Sequence, residues 1–541
     1  MTLLIHVVTT SGAVLLDCCI FGGQVFISKK SMAADLPQDE EESEPFLPGD
    51  SGVQEEIRRQ VPSDRLRWRV IFTALALILF SEIAIFMHNA PFVRIFEDIT
   101  CRRWYAKNEP DNIPSDGRIP EEQCKNEAIQ SEVAIIRGFE ELFDGLVGLA
   151  CAIPYGNLAD KIGRKPVFIL SIPAVYLYSA FLITIMWFEL PLRLIWISAL
   201  FFALGGGPPV IIALVWTIVA DVANEEQRST AFMQIGVVSM AAEFVAGAVS
   251  GYLTSYNPWL AMFVSLGLLC ASVLIILLFP ETKGLAIQKG AKERESHELD
   301  DLGVDSVDRS RYPMSSNRFV RRTLAKLKSI RQESGFILDD SSVFVLLLTF
   351  FVYKISRGAG AFFVQYISKR YGWTIAHANY LTSVKAFFNI FLFTTILPYV
   401  ASWLGEKKGI KGNRKEFILA KVSIILLFIG TVGQGLAPNI VLLITFLITQ
   451  TMGAGFAYQI RAIITSLVQS HQVARLYVGI TILETAGHLA AGPVSAGVFK
   501  WGLQIGGPWV GLPYLLLGST FLLAAFGTWW VSWQRRKEFA M

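Results

Sequence analysis

Ionisable side chains stand within long apolar stretches of this sequence. In the first half of the chain they are acidic, at Glu82, Asp144 and Glu243. In the second half most are basic, and a carboxylate and an imidazole accompany them: Lys354, Arg357, Lys385, Arg461, Glu484 and His488. A charged group near the centre of a bilayer costs about 2.5–3.5 kcal/mol on insertion scales. Such a set therefore needs charge partners, water or a function.

The chemistry open to these residues is proton binding and ligand recognition. Two carboxylates in one dry site cannot both stay ionised, and an imidazole with an unperturbed pKa of about 6.5 can relay a proton. The candidates for proton coupling are therefore Asp144, Glu243, Glu484 and His488. The candidates for binding an anionic or polar substrate are Glu82, Lys354, Arg357, Lys385 and Arg461. The alternative is that these charges form pairs that serve only packing or assembly.

The elements that must position these residues are membrane helices. Hydrophobic residues make up 53% of the 541 and charged residues only 17%, whereas roughly a quarter of a soluble domain is charged. Runs of about 20 apolar residues predict membrane spans. They cover residues 69–90, 134–155, 166–187, 193–219, 231–253, 259–280, 342–366, 377–401, 416–436, 439–466, 476–498 and 511–533. This predicts an all-α membrane protein with twelve transmembrane helices in two pseudo-symmetric six-helix bundles.

A long hydrophilic segment divides the two sets of spans. We expect a cytoplasmic N-terminal tail at residues 1–66, a first bundle at 67–280, a cytoplasmic linker at 281–341, a second bundle at 342–535 and a cytoplasmic C-terminus at 536–541. Residues 1–30 lack the basic start of a signal peptide. We expect them to be an extension of the gene model, with an additional membrane anchor as the alternative.

Basic residues gather on one side of the predicted spans. They follow the second, eighth and twelfth spans: Lys161, Arg164, Lys165, Lys407, Lys408, Lys411, Arg414, Lys415, Arg535, Arg536 and Lys537. Loops rich in Lys and Arg stay in the cytoplasm, so we expect both termini there and a multi-pass protein of the cell membrane. The acidic segment 41–47, which ends in Phe46 and Leu47, keeps the vacuolar membrane as an alternative.

The sequence lacks several signatures of other functions. It has no phosphate-cradling loop, no Cys-x-x-Cys pair and no Cys/His metal spacing. We therefore expect no ATP-driven pump, no enzyme, no metal or other cofactor and no nucleic-acid partner. Cys101 and Cys124 lie in the one large loop on the side opposite the basic residues. A disulfide is predicted there because that side faces an oxidising compartment; two free thiols are the alternative.

The loop between the second and third spans carries the most specific motif. Residues 156–165 read GNLADKIGRK, which resembles the signature loop G-x-L-A-D-x-x-G-R-(R/K) of the major facilitator superfamily of transporters. The two glycines permit a tight reversal, and an aspartate at a helix end can hold a cation across the domain interface. The resemblance implies a conformational latch formed by Gly156, Asp160, Gly163, Arg164 and Lys165.

From about residue 67 onward, the sequence is similar to fungal carriers of the tetracycline-resistance and proton-coupled folate transporter branch. The cysteine-bearing loop, the region of Glu82 and residues 474–511 carry this similarity. Many such carriers are encoded beside secondary-metabolite genes. The resemblance implies a monomer in the lipid bilayer that exports a small organic molecule, such as a secondary metabolite or toxic compound, in exchange for protons. The alternatives are a proton-coupled importer of an anionic nutrient and a non-transporting membrane sensor.

The facilitator arrangement also implies which charged residues meet. In it the fifth span packs on the eighth and the second on the eleventh, across a central cavity. We therefore expect Glu243 opposite Lys385, and Asp144 near Glu484 and His488.

Overall fold

The computed structural model describes residues 64–115, 117, 119–222, 225–278, 340–409, 412–469 and 472–535. Almost all of the predicted N-terminal tail, almost all of the predicted linker and the whole predicted C-terminus lie outside these ranges. Within the described ranges, the side chains of residues 64–67, Asp160, 220–232 and 474–475 are also not described.

The first half of the chain folds into six membrane helices. Their bounds are α1 Asp64–Asn108, α2 Glu127–Ile162, α3 Arg164–Trp187, α4 Leu192–Val222, α5 Glu225–Tyr256 and α6 Pro258–Leu278. The fourth is divided, because a 3-10 segment at Ala199–Leu204 precedes a regular helix at Gly207–Val222. Two short 3-10 turns, Pro110–Asn112 and Glu121–Lys125, lie in the loop after α1.

The second half repeats this plan. Its bounds are α7 Ser341–Tyr371, α8 Ile375–Lys407, α9 Gly412–Leu436, α10 Ile440–Ser466, α11 Val473–Ile505 and α12 Gly507–Gln534. Four of these spans are irregular. α7 has a 3-10 turn at Gly358–Phe362, and α8 contains π segments at Leu392–Ile396 and Trp403–Lys407. α10 is interrupted between Met452 and Phe456, and α12 begins with a 3-10 turn at Gly507–Gly511 and is interrupted between Ser519 and Phe521.

Each predicted apolar run corresponds to one of these helices. Eleven of those described are long and apolar enough to cross a membrane. The other is α11, which has 33 residues but contains Glu484, His488 and Lys500. The predicted all-α fold of twelve helices in two bundles is confirmed. Several helices extend beyond their apolar runs, and α1 continues through Pro91 to Asn108 instead of ending near residue 90.

Local signals fix the helix that follows the large loop. The Asn126 side chain caps the start of α2 by accepting a hydrogen bond from the Ala128 backbone N–H at 3.1 Å. Gly163 ends the helix with a φ of 112°, a conformation that glycine adopts without steric cost. The chain then enters α3 at once, so α2 and α3 form a tight helical hairpin.

The two halves meet along two helix pairs, α5 with α8 and α2 with α11. Glycines let the second pair approach closely: a Cβ placed on Gly492 would lie 2.6 Å from the carbonyl oxygen of Gly138. At the end of the bundle that carries Cys101 and Cys124, here called the disulfide end, one apolar core contains Ala90, Ala134 and Phe499 from both halves. The halves are therefore closed against each other at the disulfide end.

Candidate charge-pair site and central cavity

An ion pair joins the two halves between α5 and α8. The Lys385 ammonium lies 2.8 Å from a carboxylate oxygen of Glu243, as the facilitator arrangement led us to expect. Glu82 of α1 lies close enough to Glu243 for the two carboxylates to interact electrostatically. The structure thus brings two carboxylates and one ammonium together where three helices meet.

Hydrogen bonds to the backbone fix the register of this interface. The Asn379 amide donates to the carbonyl oxygen of Gly247 at 2.9 Å, and the Ser383 hydroxyl donates to that of Phe244 at 2.8 Å. Both donors lie on α8 and both acceptors on α5. The donors lie two and six residues before Lys385 on α8, and their bonds to α5 hold Lys385 beside Glu243.

Asp144 lies in a second cluster, inside the first half. The Tyr178 hydroxyl lies 2.8 Å from a carboxylate oxygen of Asp144 and 3.2 Å from one of Glu140. A phenol has a single proton to donate. Tyr178 can therefore donate to only one of the two carboxylates, and the other bond requires a proton on the second carboxyl group.

The expected site shared by Asp144 and Glu484 was wrong. Glu484 instead pairs with Arg461 of α10, with 3.0 Å between the guanidinium and the carboxylate. The reason is the rotation of α2: the positions that meet α11 are Gly138, Glu141 and Gly145, which recur at helical spacing. Asp144 lies about 100° round the helix from Gly145, so its side chain points to α3.

A cavity of about 300 Å³ lies between α2, α7 and α11. Its polar lining consists of Glu141, Tyr353, Lys354, Arg357 and His488. The Arg357 guanidinium lies 5.9 Å from the centre of the Tyr353 ring. The structure therefore brings three predicted site residues to one cavity, and it gives Lys385 and Arg461 carboxylate partners elsewhere.

A further charged cluster closes the disulfide end. Glu97 of α1 is 1% exposed and accepts hydrogen bonds from Lys125 at 2.7 Å and from Gln130 at 2.5 Å. The Gln365 amide of α7 donates to Gln130 at 2.9 Å, and the backbone N–H of Ile375 donates to Glu121 at 2.8 Å. The large loop thus spans both halves. A disulfide between Cys101 and Cys124, with 5.3 Å between their Cα atoms, ties this loop to α1.

The sequence profile described as "Major Facilitator Superfamily" matches residues 144–492. The chain belongs to the Major Facilitator Superfamily. The chain is 32% identical to the MFS-type transporter aprT of Aspergillus flavus, over 89% of this chain and 92% of that protein. It is 31% identical to the MFS efflux pump atnC of Emericella nidulans, over 83% of this chain and 85% of that protein.

Solved structures agree with this membership of the Major Facilitator Superfamily. The D-xylose-proton symporter matches with a TM-score of 0.55 at 14% identity, over 85% of this chain and 97% of that chain. The nucleoside transporter NupG matches with a TM-score of 0.55 at 14% identity, over 86% and 98% of the two chains. At such identities the likeness shows the fold alone. As a superfamily member the chain is a multi-pass membrane transporter of small molecules.

The superfamily's signature loop lies between α2 and α3. Gly163 makes the reversal, and the Lys165 ammonium donates a hydrogen bond to the carbonyl oxygen of Leu277, at the end of α6, at 3.1 Å. A Cβ on Gly156 would meet open space. The Asp160 side chain lies outside the described set, and Arg164 has contacts of its own. A latch at these residues stays a prediction.

Sequence reasoning missed several residues of the sites. Glu140, Glu141 and Arg137 lie in the same predicted span as Asp144, yet only Asp144 was selected. The available signal was the presence of four ionisable residues within eight positions of one apolar run. Glu97 was missed because the first apolar run was taken to end near residue 90, which placed this residue in a loop.

Proposed function

We propose that this chain exports a small organic molecule, such as a secondary metabolite or toxic compound, and that inward proton flow drives the export. Support for the direction comes from relatives, because atnC and the Aspergillus flavus protein ustT, which is 27% identical over 79% of this chain, are both named efflux pumps. Support for the driving ion comes from the charge pair between the halves. Glu243 and Lys385 carry the proposal.

The pair supplies a switch because it joins two bodies that separate during transport. With Glu243 ionised, its attraction to Lys385 favours contact between α5 and α8. A proton on Glu243 removes that attraction and leaves an uncharged carboxyl group, which lowers the electrostatic resistance to separation. Glu82 adds a second carboxylate near Glu243.

The other proton-coupling candidates have different places in this proposal. Asp144 shares Tyr178 with Glu140 and can hold a proton within the first half. Glu484 is neutralised by Arg461, so its charge is compensated without a proton. His488 lines the cavity and can exchange protons with water there.

A comparison of metabolites in cells and medium, with and without the gene, tests the export. We expect at least one organic compound to accumulate in cells that lack the gene and to fall in their medium. Return of the wild-type gene should restore the compound to the medium and lower its amount in the cells, whereas return of a gene with Glu243→Gln should not. Glu132→Gln is the matched control, because that carboxylate pairs with Arg193 at the protein surface, where both side chains are exposed.

Two outcomes of that experiment would overturn the proposal. A solute left unconsumed in the medium of the mutant would indicate uptake. Equal profiles in both strains would contradict transport and favour the sensor alternative.

Proton coupling is tested separately in vesicles that contain the purified protein. A protonophore should abolish accumulation of the exported compound in these vesicles. Undiminished accumulation would exclude a proton gradient as the driving force.

We also propose that the protein acts as a monomer in the cell membrane with both termini in the cytoplasm. The basic residues that follow α2, α8 and α12 support this orientation. A fluorescent tag at the C-terminus should outline the cell, and external protease should leave it intact. A signal confined to the vacuole would favour the vacuolar alternative.

A further inference from the structure

Two basic side chains of α7 that line the cavity have no carboxylate partner among the residues that the structure describes. Within the described part of the chain, neither Lys354 nor Arg357 forms a salt bridge, whereas Lys385 and Arg461 do. Both line the cavity of about 300 Å³, where Arg357 is exposed and Lys354 half-buried. The four basic candidates of the sequence are thus of two kinds: two are neutralised by the protein and two face open space.

The charge of the cavity lining is unbalanced. Lys354 and Arg357 face a single carboxylate, that of Glu141, and His488 adds no charge while it is neutral. One positive charge is therefore uncompensated. Water can solvate it while the cavity is open. A transport cycle must close the cavity around its content, and an uncompensated charge then loses its water, which is energetically unfavourable.

We infer that the cavity binds an organic molecule that carries one carboxylate, and that this carboxylate supplies the missing negative charge. The inference rests on the proposed function, since it treats the cavity as the place where the exported compound binds. A guanidinium presents two parallel N–H donors that match the two oxygens of a carboxylate. Lys354 stands one helical turn away on the same helix and can reach the same group.

The remainder of the lining favours an organic ligand over an inorganic anion. Tyr353, Ala361 and Ala491 provide an aromatic ring and methyl groups beside the two basic side chains. The volume lies at the small end of ligand pockets, which are about 300–1,000 Å³. The space is thus larger than a lone phosphate or sulfate ion requires and has an apolar wall for a hydrocarbon body.

Glycines hold the two basic residues at this wall. A Cβ on Gly487 of α11 would lie 2.9 Å from the Cβ of Lys354, and one on Gly358 would lie 2.8 Å from the Cβ of Ala491. The absence of side chains at these positions lets α7 approach α11 closely. The positions of Lys354 and Arg357 are therefore fixed by packing before a ligand binds, which lowers the entropic cost of binding.

Direct binding to the purified full chain tests the inference. The probes are 2-naphthoate and its uncharged counterpart 2-naphthamide, which have nearly the same shape. We expect the naphthoate to bind about tenfold more tightly, and Lys354→Gln and Arg357→Gln each to remove about tenfold in affinity. Glu141→Gln should act in the opposite direction and raise naphthoate affinity about threefold, because it removes a negative charge from the lining.

Controls separate the site from general charge effects. Lys500→Gln makes the same charge change on α11 at a residue outside the cavity lining, and it should leave binding unaltered. Arg357→Lys retains the charge without the planar donor pair and should keep part of the affinity. If Arg357→Gln fails to fold, Arg357→Lys and Glu141→Gln still test the site, since their effects have opposite signs.

Several results would overturn the inference. Equal affinity for naphthoate and naphthamide would show that no anion is preferred. Equal losses in Lys500→Gln and Arg357→Gln would remove the site from this cavity. Displacement of naphthoate by inorganic phosphate at equal concentration would indicate a general anion site. Glu243→Gln separates this inference from the proposed function, because it should abolish export while naphthoate still binds.

Discussion

The interface of α5 and α8 and the cavity beside α7 use basic residues in different ways. At the interface, Lys385 is neutralised by Glu243, and the pair joins the halves. In the cavity, Lys354 and Arg357 of the same half have no such partner among the described residues. A charge in a membrane protein needs compensation: the protein supplies it at the interface, and we infer that a ligand supplies it in the cavity. Perturbing each region should therefore give different results for stability and for binding.

The largest effect is expected for Lys385→Gln. It leaves Glu243 beside Glu82 without a cation, and removal of one partner from a partly buried pair should lower the free energy of unfolding by about 2 kcal/mol. Thermal unfolding of the purified protein measures this loss. The double variant Lys385→Gln with Glu243→Gln should recover most of it. A double variant as unstable as the single one would contradict an ion pair at this interface.

A smaller loss, about 1 kcal/mol, is expected for Arg461→Gln, since Glu484 is left uncompensated within the second half. The same unfolding measurement applies. Neutralising Glu484 as well should restore stability. Because this pair does not join the halves, Arg461→Gln should leave the effect of Lys385→Gln unchanged, and strong coupling between the two substitutions would contradict the separation of the two sites.

Removal of the Tyr178 hydroxyl should lower the free energy of unfolding by as much as Arg461→Gln does, or by less. Tyr178→Phe takes away the hydrogen bonds to Asp144 and Glu140, and we expect a loss of about 1 kcal/mol. Tyr252→Phe, at a side chain that is 68% exposed, is the control. Equal behaviour of the two variants would show that Tyr178 holds no carboxylate.

The smallest effect is expected for Lys354→Gln. No ion pair is lost, so the free energy of unfolding should change by no more than about 0.5 kcal/mol. Stability and binding should therefore separate in this variant, which should remain as stable as the wild type while binding of naphthoate weakens. A loss of stability as large as that of Lys385→Gln would mean that Lys354 has a structural partner, and the comparison between the two regions would fail.

The sequence was sufficient for the fold and for one site contact. Runs of apolar residues located all twelve helices because hydropathy follows directly from composition, and the facilitator arrangement correctly set Glu243 against Lys385. The sequence could not predict how each helix is rotated about its own axis. Asp144 and Gly145 are adjacent in sequence, yet one faces α3 and the other α11. Which residue faces α11 is decided by the glycines that allow α2 and α11 to pack closely. Close packing depends on the sequences of both helices together.

The polar character of α11 has a consequence for how the protein reaches the membrane. A segment enters the bilayer by itself only when its own residues favour lipid, and α11 is the described helix that falls short of the apolarity of the other eleven. Its Glu484 is matched by Arg461 on α10, the helix made just before it. Insertion of α11 should therefore depend on α10 being in the membrane already. Because α11 lines the cavity, the cavity wall can form only after α10 has been synthesised and inserted.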